Sequence, residues 1–377
     1  MSFKIINKSQ KSLARIGTLK TKHGVIKTPF FMPIATRGSV KSLTSEDLKK
    51  LGAQIVLANS YHLYLKPSLS VIKKSKGLHQ FINWPGPILT DSGGYQVFSL
   101  GSKEQGTRNR EQKKFVKITE KGVEFRSVYD GSKHLFTPKS VIKMQETFGS
   151  DIMMVLDVCS PAKCSYSQAE KDLEITLKWA KEALKHKSKK ENNQLFGIVQ
   201  GALYKDLRLK SVKALSTLGF NGYAVGGLAV GESPSEMYKV LDYTVPELPQ
   251  AKPHYLMGVG YPEQIVESVK RGIDMFDCVI PTREARHGRL YIHSSSIIVH
   301  RSFYKTINIK SEKFSQDISP INKNSNLPEL RHYSKAYLRH LFSVNEPLAL
   351  RLATLNNLEF YLGLMSEIRE LIQSNKL

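Results

Sequence analysis

The stretch that decides the fold is residues 273–286, which read IDMFDCVIPTREAR. It predicts a short apolar strand over 275–280 with a carboxylate, Asp277, set into it, then a proline turn and two arginines. A strand with both faces buried is almost wholly apolar, so an acid inside one needs a partner or a chemical task. Cations directly after it suit a phosphate chain. The stretch therefore indicates chemistry on a nucleic acid.

The composition favours a globular protein with a polyanionic partner. A chain of 377 residues can bury a large core, either as two ordinary domains or as one α/β barrel. Fifty-six Lys and Arg residues against 33 Asp and Glu residues leave a net charge of +23. Because neutralised phosphates release counterions, this excess favours nucleic acid, with a generally basic proteome as the alternative.

The cysteines and the apolar runs indicate the compartment. Cys159, Cys164 and Cys278 are too few for a disulfide framework, which predicts a reducing, cytoplasmic setting. Neither an N-terminal apolar signal region nor an apolar run of membrane-spanning length occurs in the sequence. We therefore expect no membrane association.

Eight short apolar runs rich in branched or aromatic residues predict strands, at 30–34, 54–58, 87–90, 152–156, 195–199, 222–225, 254–257 and 275–280. Helical spacing of apolar residues marks 44–51, 167–186, 205–218, 235–243 and 262–271. Ser165 or Ser167, Ser235 and Pro262 are the expected helix starts. Alternating strands and helices favour a closed (β/α)8 barrel. A doubly wound open sheet is the alternative, but no glycine-rich phosphate motif follows the first strand.

Polar and glycine residues follow six of these predicted strands. They are Thr90-Asp91-Ser92-Gly93-Gly94, Asp157-Val158-Cys159, Gln200-Gly201, Gly226-Gly227, Gly258-Val259-Gly260 and Asp277. Barrel active sites form where the carboxyl ends of the strands meet, so these residues are expected to converge on one mouth.

The rest of the chain predicts insertions and no second domain. A charged insertion at 102–134 is expected to form a hairpin and a loop. The segment 314–328 is polar and irregular, and helical patterns follow at 333–342 and at about 348–371. Without a repeat or a linker, residues 1–377 are expected to form one domain. The predicted fold is an α/β TIM barrel with insertions and a C-terminal helical subdomain.

At these motifs the chain resembles the bacterial-type tRNA-guanine transglycosylases, the queuine tRNA-ribosyltransferases. The matching stretches are Thr28-Pro29-Phe30-Phe31-Met32-Pro33, Asn59-Ser60-Tyr61-His62-Leu63, 89–97, 196–201, 226–232 and 275–286, in order and at family-like spacing. The resemblance implies exchange of the wobble guanine of certain tRNA anticodons for a 7-deazaguanine base, preQ1 or queuine, in queuosine biosynthesis. It also implies tRNA as partner, a homodimer, and no cofactor.

The chemistry of that exchange fits two acids of the chain. Displacing a purine from ribose passes through an oxocarbenium-like state at C1′, which an opposing carboxylate can trap. By resemblance, Asp277 is the nucleophile that forms a covalent ribosyl intermediate. Asp91 is then the general acid/base that protonates the departing guanine and deprotonates the incoming base.

The resemblance also assigns residues to the base and to the RNA. An ionised Asp157 can accept from guanine N1–H and from its exocyclic amine. Gln200 and the Gly227 N–H are expected to serve O6, the Leu228 carbonyl the deazapurine substituent, and Tyr95 with Met257 the base faces. Ser92, Gly93 and Gly94 complete the implied base site. The implied RNA contacts are Gly258, Val259, Gly260, Tyr261, Pro262, Glu263, Gln264, Thr282, Arg283, Glu284, Ala285 and Arg286.

The chain departs from the family at a structural zinc site, normally made by three cysteines and a histidine late in the chain. Aligned on the motif at 333–341, those positions carry Ser325, Leu327, Leu330 and Asn356. We therefore expect no metal here, and a remodelled subdomain at about 310–360 in which Leu327 and Leu330 fill the former site by apolar packing.

A second departure concerns the incoming base. Val158 stands where the family usually has an acid, while Glu232 remains, so preQ1 and queuine are both possible. One alternative to the enzyme is a non-catalytic tRNA-binding paralogue, against which the retention of Asp91 and Asp277 argues. Another is a barrel glycosidase acting on small sugars, which the +23 charge disfavours.

Overall fold

Eight parallel strands form a closed barrel in the computed structural model, which describes residues 2–97, 116–188, 192–297 and 303–377. Around the barrel the strands follow the order β4 (Phe30–Met32), β15 (Met275–Asp277), β14 (His254–Leu256), β13 (Gly222–Val225), β12 (Gln194–Val199), β11 (Ile152–Met154), β7 (Ile88–Thr90), β6 (Val56–Ala58) and β5 (Ile34–Ala35). β4 (Phe30–Met32) and β5 (Ile34–Ala35) are the two halves of one extended segment around Pro33. β4 pairs with β15 and β5 pairs with β6, which closes the ring. The predicted (β/α)8 barrel is confirmed, and the open sheet is excluded.

Every predicted strand is present, but the strand predicted over 275–280 ends at Asp277, and Ile280 already belongs to a helix. The other barrel strands are β6 (Val56–Ala58), β7 (Ile88–Thr90), β11 (Ile152–Met154), β12 (Gln194–Val199), β13 (Gly222–Val225), β14 (His254–Leu256) and β15 (Met275–Asp277). All their residues are buried, as expected for a parallel sheet covered by helices. The expectation of a proline turn after β15 is wrong. Pro281 lies in the first turn of a helix, Ile280–Arg286, where its missing N–H costs no hydrogen bond.

The predicted helices are also present. The helices are α1 (Ser45–Lys50), α2 (Ser60–Leu63), α3 (Leu69–Lys74), α4 (Leu78–Ile82), α5 (Pro138–Phe148), α6 (Tyr166–His186), α7 (Lys205–Leu218), α8 (Pro234–Thr244), α9 (Pro262–Lys270), α10 (Ile280–Arg286), α11 (Pro328–His332), α12 (Lys335–Ser343) and α13 (Pro347–Gln373). Ser165 caps α6 by accepting from the Gln168 N–H. The start expected at Ser235 is wrong by two residues, because Ser233 makes a capping box with Glu236.

A three-stranded antiparallel sheet covers the N-terminal end of the barrel, and the sequence patterns did not reveal it. Its strands are β1 (Phe3–Lys8), β2 (Arg15–Thr21) and β3 (Gly24–Thr28). Arg15 makes a bidentate pair with Asp274, the residue before β15, at 2.6 and 3.0 Å. The Gln194 side chain donates to the Lys20 carbonyl at 2.8 Å. These contacts leave the opposite, C-terminal end of the barrel for function.

The insertion after β7 forms a second small sheet. Strands β8 (Val116–Thr119), β9 (Gly122–Arg126) and β10 (Lys133–Phe136) are antiparallel, in the order β10-β9-β8. This corrects the expected single hairpin to three strands, which the described part of the insertion contains. Residues 102–115 of the predicted insertion lie outside the described residues.

The C-terminal part packs a hairpin and three helices against the barrel. The hairpin is β16 (Arg289–His293) with β17 (Tyr304–Asn308), and α13 lies against β16 and α10. Leu327 and Leu330 are buried in a leucine-rich core, which agrees with the apolar packing expected at these two positions. The expected replacement by apolar packing is incomplete, however. Glu359 accepts from the Ser325 hydroxyl at 2.5 Å and from the Asn326 N–H at 2.6 Å, so a carboxylate holds this loop.

Across the described residues, no helix has the length and apolar character needed to cross a bilayer.

Candidate active site

A cavity of about 590 Å³ opens at the C-terminal end of the barrel. Residues at or after the ends of all eight strands line it: Thr36, Asn59, Asp91, Asp157, Gln200, Gly226, Met257 and Cys278 among them. The structure therefore brings together the strand ends that the sequence placed at one mouth. The geometry follows from parallel strands, whose carboxyl ends all lie on one side.

Asp91 follows β7 and is held by three donors. Its Oδ1 accepts from the backbone N–H groups of Ser60 at 2.9 Å and Gly93 at 3.1 Å, and Asn59 Nδ2 donates to Oδ2 at 2.5 Å. Burial, with a smaller contribution from the charge of Asp277, raises the pKa of Asp91 to about 7 against the opposing effect of the donors. A carboxyl with this pKa can give and take a proton near neutral pH.

Asp277 ends β15 and keeps one oxygen uncommitted. Its Oδ1 accepts from the Tyr255 hydroxyl at 2.5 Å and from the Gly258 N–H at 2.8 Å. No donor among the described residues reaches Oδ2. Burial raises the pKa of Asp277, and the two hydrogen bonds oppose that rise by stabilising the anion. The carboxylate is thus oriented through one oxygen while the other is available to a ligand.

Asp157 and Gln200 form a polar pair on another side of the cavity. Gln200 Nε2 donates to Asp157 Oδ2 at 2.7 Å, and burial raises the pKa of Asp157 to about 6. Gln200 Oε1 is buried and has no donor among the described residues. This orphaned acceptor and the remaining lone pairs of Asp157 are what a planar, hydrogen-bonding ligand could engage.

Gly227 must be glycine for this pair to fit. Its φ is +65°, and a Cβ there would lie 2.4 Å from Gln200 Oε1. A side chain here would be strained by the backbone conformation and would displace the Gln200 amide from its contact with Asp157. Leu228, next in the chain, is buried and lines the cavity.

Tyr95 and Met257 also line the cavity, Tyr95 with 48% of its surface exposed. Ser92 and Gly93 line it too, and Ser92 Oγ accepts from the Gly94 N–H at 3.3 Å. Gly94 itself does not reach the cavity surface; a Cβ there would meet Leu156 at 3.1 Å.

The residues expected to contact RNA divide into two groups. Gly258, Gly260, Tyr261, Gln264 and Arg283 line the cavity or its rim. Val259, Pro262, Thr282 and Ala285 are buried and are not among the residues that line the cavity. Glu263 accepts from the Tyr304 hydroxyl, Glu284 lies 3.1 Å from Arg289, and Arg286 donates to the Thr282 carbonyl.

Sequence reasoning gave no role to several residues of the site. Asn59 and Ser60 hold Asp91, and Tyr255 holds Asp277. Cys159 lines the cavity as well. Glu232, which the sequence had placed near the incoming base, also lines it and accepts from the Val230 N–H at 3.1 Å. For Asn59 and Ser60 a signal existed, since both follow an apolar run, as the acids do. Tyr255 gave none, because an aromatic residue inside an apolar strand looks like core.

His23, His79 and Asp151 form the one group in the described ranges whose donor atoms could surround a metal ion, at the opposite end of the barrel. Asp151 already accepts from both imidazoles, from the His23 N–H and from the Ile88 N–H. The imidazoles stack at 3.7 Å, so their in-plane lone pairs do not converge. The group is satisfied as a hydrogen-bonded cluster without an ion.

Two carboxylates at one barrel mouth, one oriented with a free oxygen and one with a pKa near neutrality, are the arrangement that enzymes acting on glycosidic bonds use. Comparison with known proteins narrows this class. A family model described as queuine tRNA-ribosyltransferase matches residues 9–377.

Curated relatives match over nearly their whole length. A queuine tRNA-ribosyltransferase of Thermoanaerobacter pseudethanolicus is 47% identical over 377 residues, covering 100% of this chain and 95% of the relative. Proteins of the same name from Desulforamulus reducens and Vibrio campbellii are 45% and 46% identical, over 96% and 92% of their lengths. The chain therefore belongs to the queuine tRNA-ribosyltransferase family and is a pentosyltransferase.

Proposed function

We propose that this enzyme exchanges the guanine at the wobble position of tRNA anticodons for a 7-deazaguanine base through a covalent ribosyl intermediate. The observation that carries the proposal is the pair of carboxylates, Asp91 and Asp277, that line one cavity at the ends of β7 and β15. Asp277 is oriented by Tyr255 and Gly258 with Oδ2 free, and Asp91 has a pKa of about 7.

In the first half-reaction, Asp277 Oδ2 attacks C1′ of the ribose. The bond from C1′ to N9 of guanine breaks as the bond from C1′ to Oδ2 forms, and the departing base takes a proton from Asp91. The carboxylate stabilises the oxocarbenium-like character at C1′. The hydrogen bonds to Oδ1 orient the carboxylate and favour its ionised form.

In the second half-reaction, Asp91, now ionised, takes the proton from N9 of the incoming base. N9 attacks C1′, the ester to Asp277 breaks, and both carboxyl groups return to their starting states. Two displacements at one carbon retain the β configuration. A pKa near 7 suits Asp91 to both directions of proton transfer.

The base is read by the polar pair and the adjacent backbone. An ionised Asp157 accepts from guanine N1–H and from the exocyclic amine, while the second N–H of Gln200 Nε2 and the Gly227 N–H donate to O6. The Leu228 carbonyl faces the substituent of the deazapurine, and Tyr95 with Met257 covers the two faces of the ring. These residues line one cavity, which supports a common ligand.

Both preQ1 and queuine remain candidates for the incoming base. Val158, which replaces a usual family acid, is buried in the core and does not line the cavity. Glu232 does line it, but its carboxylate accepts from the Ala229 and Val230 N–H groups. Offering both bases in competition during exchange decides between them.

The RNA is expected to lie across the rim formed by α9, α10 and their preceding loops. Arg283 lines the cavity and Arg286 is one helical turn away; two guanidinium groups match phosphate geometry. The net charge of +23 supports a polyanionic partner. A wobble nucleotide lies in a single-stranded loop, so its base can be splayed into the cavity.

A homodimer in the cytoplasm completes the proposal. Tyr333 and Tyr337 pack against each other on the surface with ring centroids 5.1 Å apart and planes tilted by 31°, and both are more than one third exposed. Exposed aromatic pairs are enriched at protein interfaces. Light scattering of wild type and of the double variant Tyr333→Ala, Tyr337→Ala tests the dimer, which the variant should weaken. The three free cysteines suit a reducing compartment.

Exchange of labelled guanine into tRNA tests the function directly. Wild type should exchange, Asp277→Ala should not, and Asp242→Ala, an exposed acid on α8, should behave as wild type. If the folded wild-type protein does not exchange guanine, the alternative function, a non-catalytic tRNA-binding paralogue, is favoured. Full activity of Asp277→Ala would refute the role of that carboxylate.

A further inference from the structure

Arg208 on α7 is fully buried directly behind the base-reading side of the cavity. No acid among the described residues forms an ion pair with it. Burial lowers the pKa of the guanidinium only to about 10, so it is charged at neutral pH. A buried charge without a carboxylate partner is costly and needs compensation by hydrogen bonds.

Backbone carbonyls supply that compensation. Arg208 Nε donates to Ala202 at 2.8 Å, Nη1 donates to Val199 at 2.9 Å and to Gly226 at 2.8 Å, and Nη2 donates to Gly227 at 3.4 Å. The guanidinium therefore joins the end of β12 to the end of β13. These are the two strand ends that present Gln200 and Gly227.

The contact with Gly226 fixes the direction of one peptide. The Gly226 carbonyl and the Gly227 N–H belong to the same planar unit and point in opposite directions. Since the Gly226 carbonyl points at Arg208, behind the cavity, the Gly227 N–H points towards the cavity. The backbone N–H of Gly227 lowers the pKa of Cys159, a residue of the cavity wall, which agrees with that direction.

We propose that Arg208 is a positioning residue, which fixes the Gly226–Gly227 peptide so that its N–H selects bases with an oxygen at C6. The inference rests on the proposed function, because it presumes that guanine-type bases occupy this cavity. A planar guanidinium with five donors can hold four diverging carbonyls at once, whereas an ammonium group cannot reproduce that fork.

A purely structural role makes a different prediction. If Arg208 only tied β12 to β13, its replacement would lower stability and affect all bases equally. If Arg208 orients the Gly227 N–H, its replacement weakens the binding of guanine more than the binding of an analogue with a poor acceptor at C6. 6-Thioguanine is such an analogue, since it keeps N1–H and the 2-amino group and changes only the oxygen to sulfur.

The test compares base affinity in Arg208→Lys and Arg208→Met with wild type, using guanine exchange and inhibition by 6-thioguanine. We expect the KM for guanine to rise about tenfold in Arg208→Lys, as expected for loss of one oriented hydrogen bond. The inhibition constant of 6-thioguanine should change less than threefold, and kcat at saturating guanine should stay within about threefold.

Arg15→Lys is the matched control. Arg15 is also buried and also donates to two backbone carbonyls, those of Gln250 and Lys252, but at the opposite end of the barrel. It should lower Tm without changing the ratio of guanine to 6-thioguanine affinity.

An unchanged ratio in folded Arg208→Lys would overturn the inference while leaving the transferase proposal intact. Wild type that fails to exchange guanine at all would instead defeat the proposed function. If neither Arg208 variant folds, the two affinities of the wild-type enzyme still test the inference. Equal affinity for guanine and 6-thioguanine would show that no donor recognises the C6 oxygen and would overturn it.

Discussion

The hydroxyl of Tyr255, in the middle of β14, donates to Oδ1 of Asp277, the last residue of the neighbouring strand β15, at 2.5 Å. The hydrogen bond joins two adjacent barrel strands and leaves Oδ2 as the oxygen that faces the ligand. An apolar strand thus carries the residue that orients the proposed nucleophile.

Tyr255→Phe should lower kcat about tenfold to a hundredfold, because a hydrogen bond to a charged group contributes about 1.5–3 kcal/mol. The Tyr255 hydroxyl lowers the pKa of Asp277, so its removal raises that pKa. The acid side of the pH–rate profile should therefore move to higher pH, as measured by guanine exchange between pH 5 and 9. Tyr223→Phe, in the next strand and without a carboxylate contact, should not move the profile.

Asp157→Asn should abolish base binding and stabilise the protein. An amide would turn a donor towards two donors of the base, which should weaken guanine binding at least about a hundredfold. Binding of guanine measured by calorimetry checks this. Asp172→Asn is the control, since this buried carboxyl accepts from Ser160 and Gln168 outside the cavity.

The stability effect of Asp157→Asn should depend on pH with a defined sign. Burial raises the pKa of Asp157 from 3.8 to about 6, so its ionised form destabilises the folded state above that pH. The Tm of the variant should exceed that of wild type at pH 8. The difference should shrink as pH falls from about 6 towards 4, and a difference that grew on acidification would contradict the assignment.

Glu359→Ala should destabilise the C-terminal part, because two donors, Ser325 Oγ and Asn326 N, would lose their acceptor. We expect the free energy of unfolding to fall by about 1–3 kcal/mol, which should lower Tm by a few degrees. Glu370→Ala, an exposed acid on the same helix, should leave Tm unchanged.

Chelation provides the companion measurement for that loop. If a carboxylate rather than a metal holds it, a strong chelator should leave the Tm of wild type unchanged. Elemental analysis finding about one zinc per purified chain would contradict this expectation.

Arg283→Ala should weaken the binding of tRNA without affecting the binding of the free base. Loss of one phosphate contact should raise the KM for tRNA and reduce the slope of log KM against log salt by about 0.7 to 0.9. The KM for guanine should stay the same. Lys4→Ala, an exposed cation on the sheet at the closed end of the barrel, should leave the slope as in wild type.

The sequence revealed those parts of the fold and site in which a local pattern departs from its surroundings. Apolar runs marked each barrel strand, and Asp91 and Asp277 stood out as acids at the ends of such runs. Pro281 was misassigned because proline suits a turn and a first helical turn equally well.

The residues that sequence reasoning missed depend on contacts distant along the chain. Arg208 lies in a regular amphipathic helix, where an arginine normally indicates a solvated face. Only folding shows that its neighbours are the carbonyls of two strand ends. The pairing of His23 with Asp151 and of Arg15 with Asp274 likewise joins segments that no local pattern connects.

The closure of the barrel ties catalytic competence to completion of the polypeptide. Asp277 pairs with Met32, so the strand bearing the proposed nucleophile is also the one that seals the ring against β4. During synthesis, β4 can pair with β15 only after nearly the whole barrel has been translated. A nascent or truncated chain that ends before β15 lacks the seal and the nucleophile together, so a partly made enzyme has no means of cleaving a glycosidic bond in tRNA.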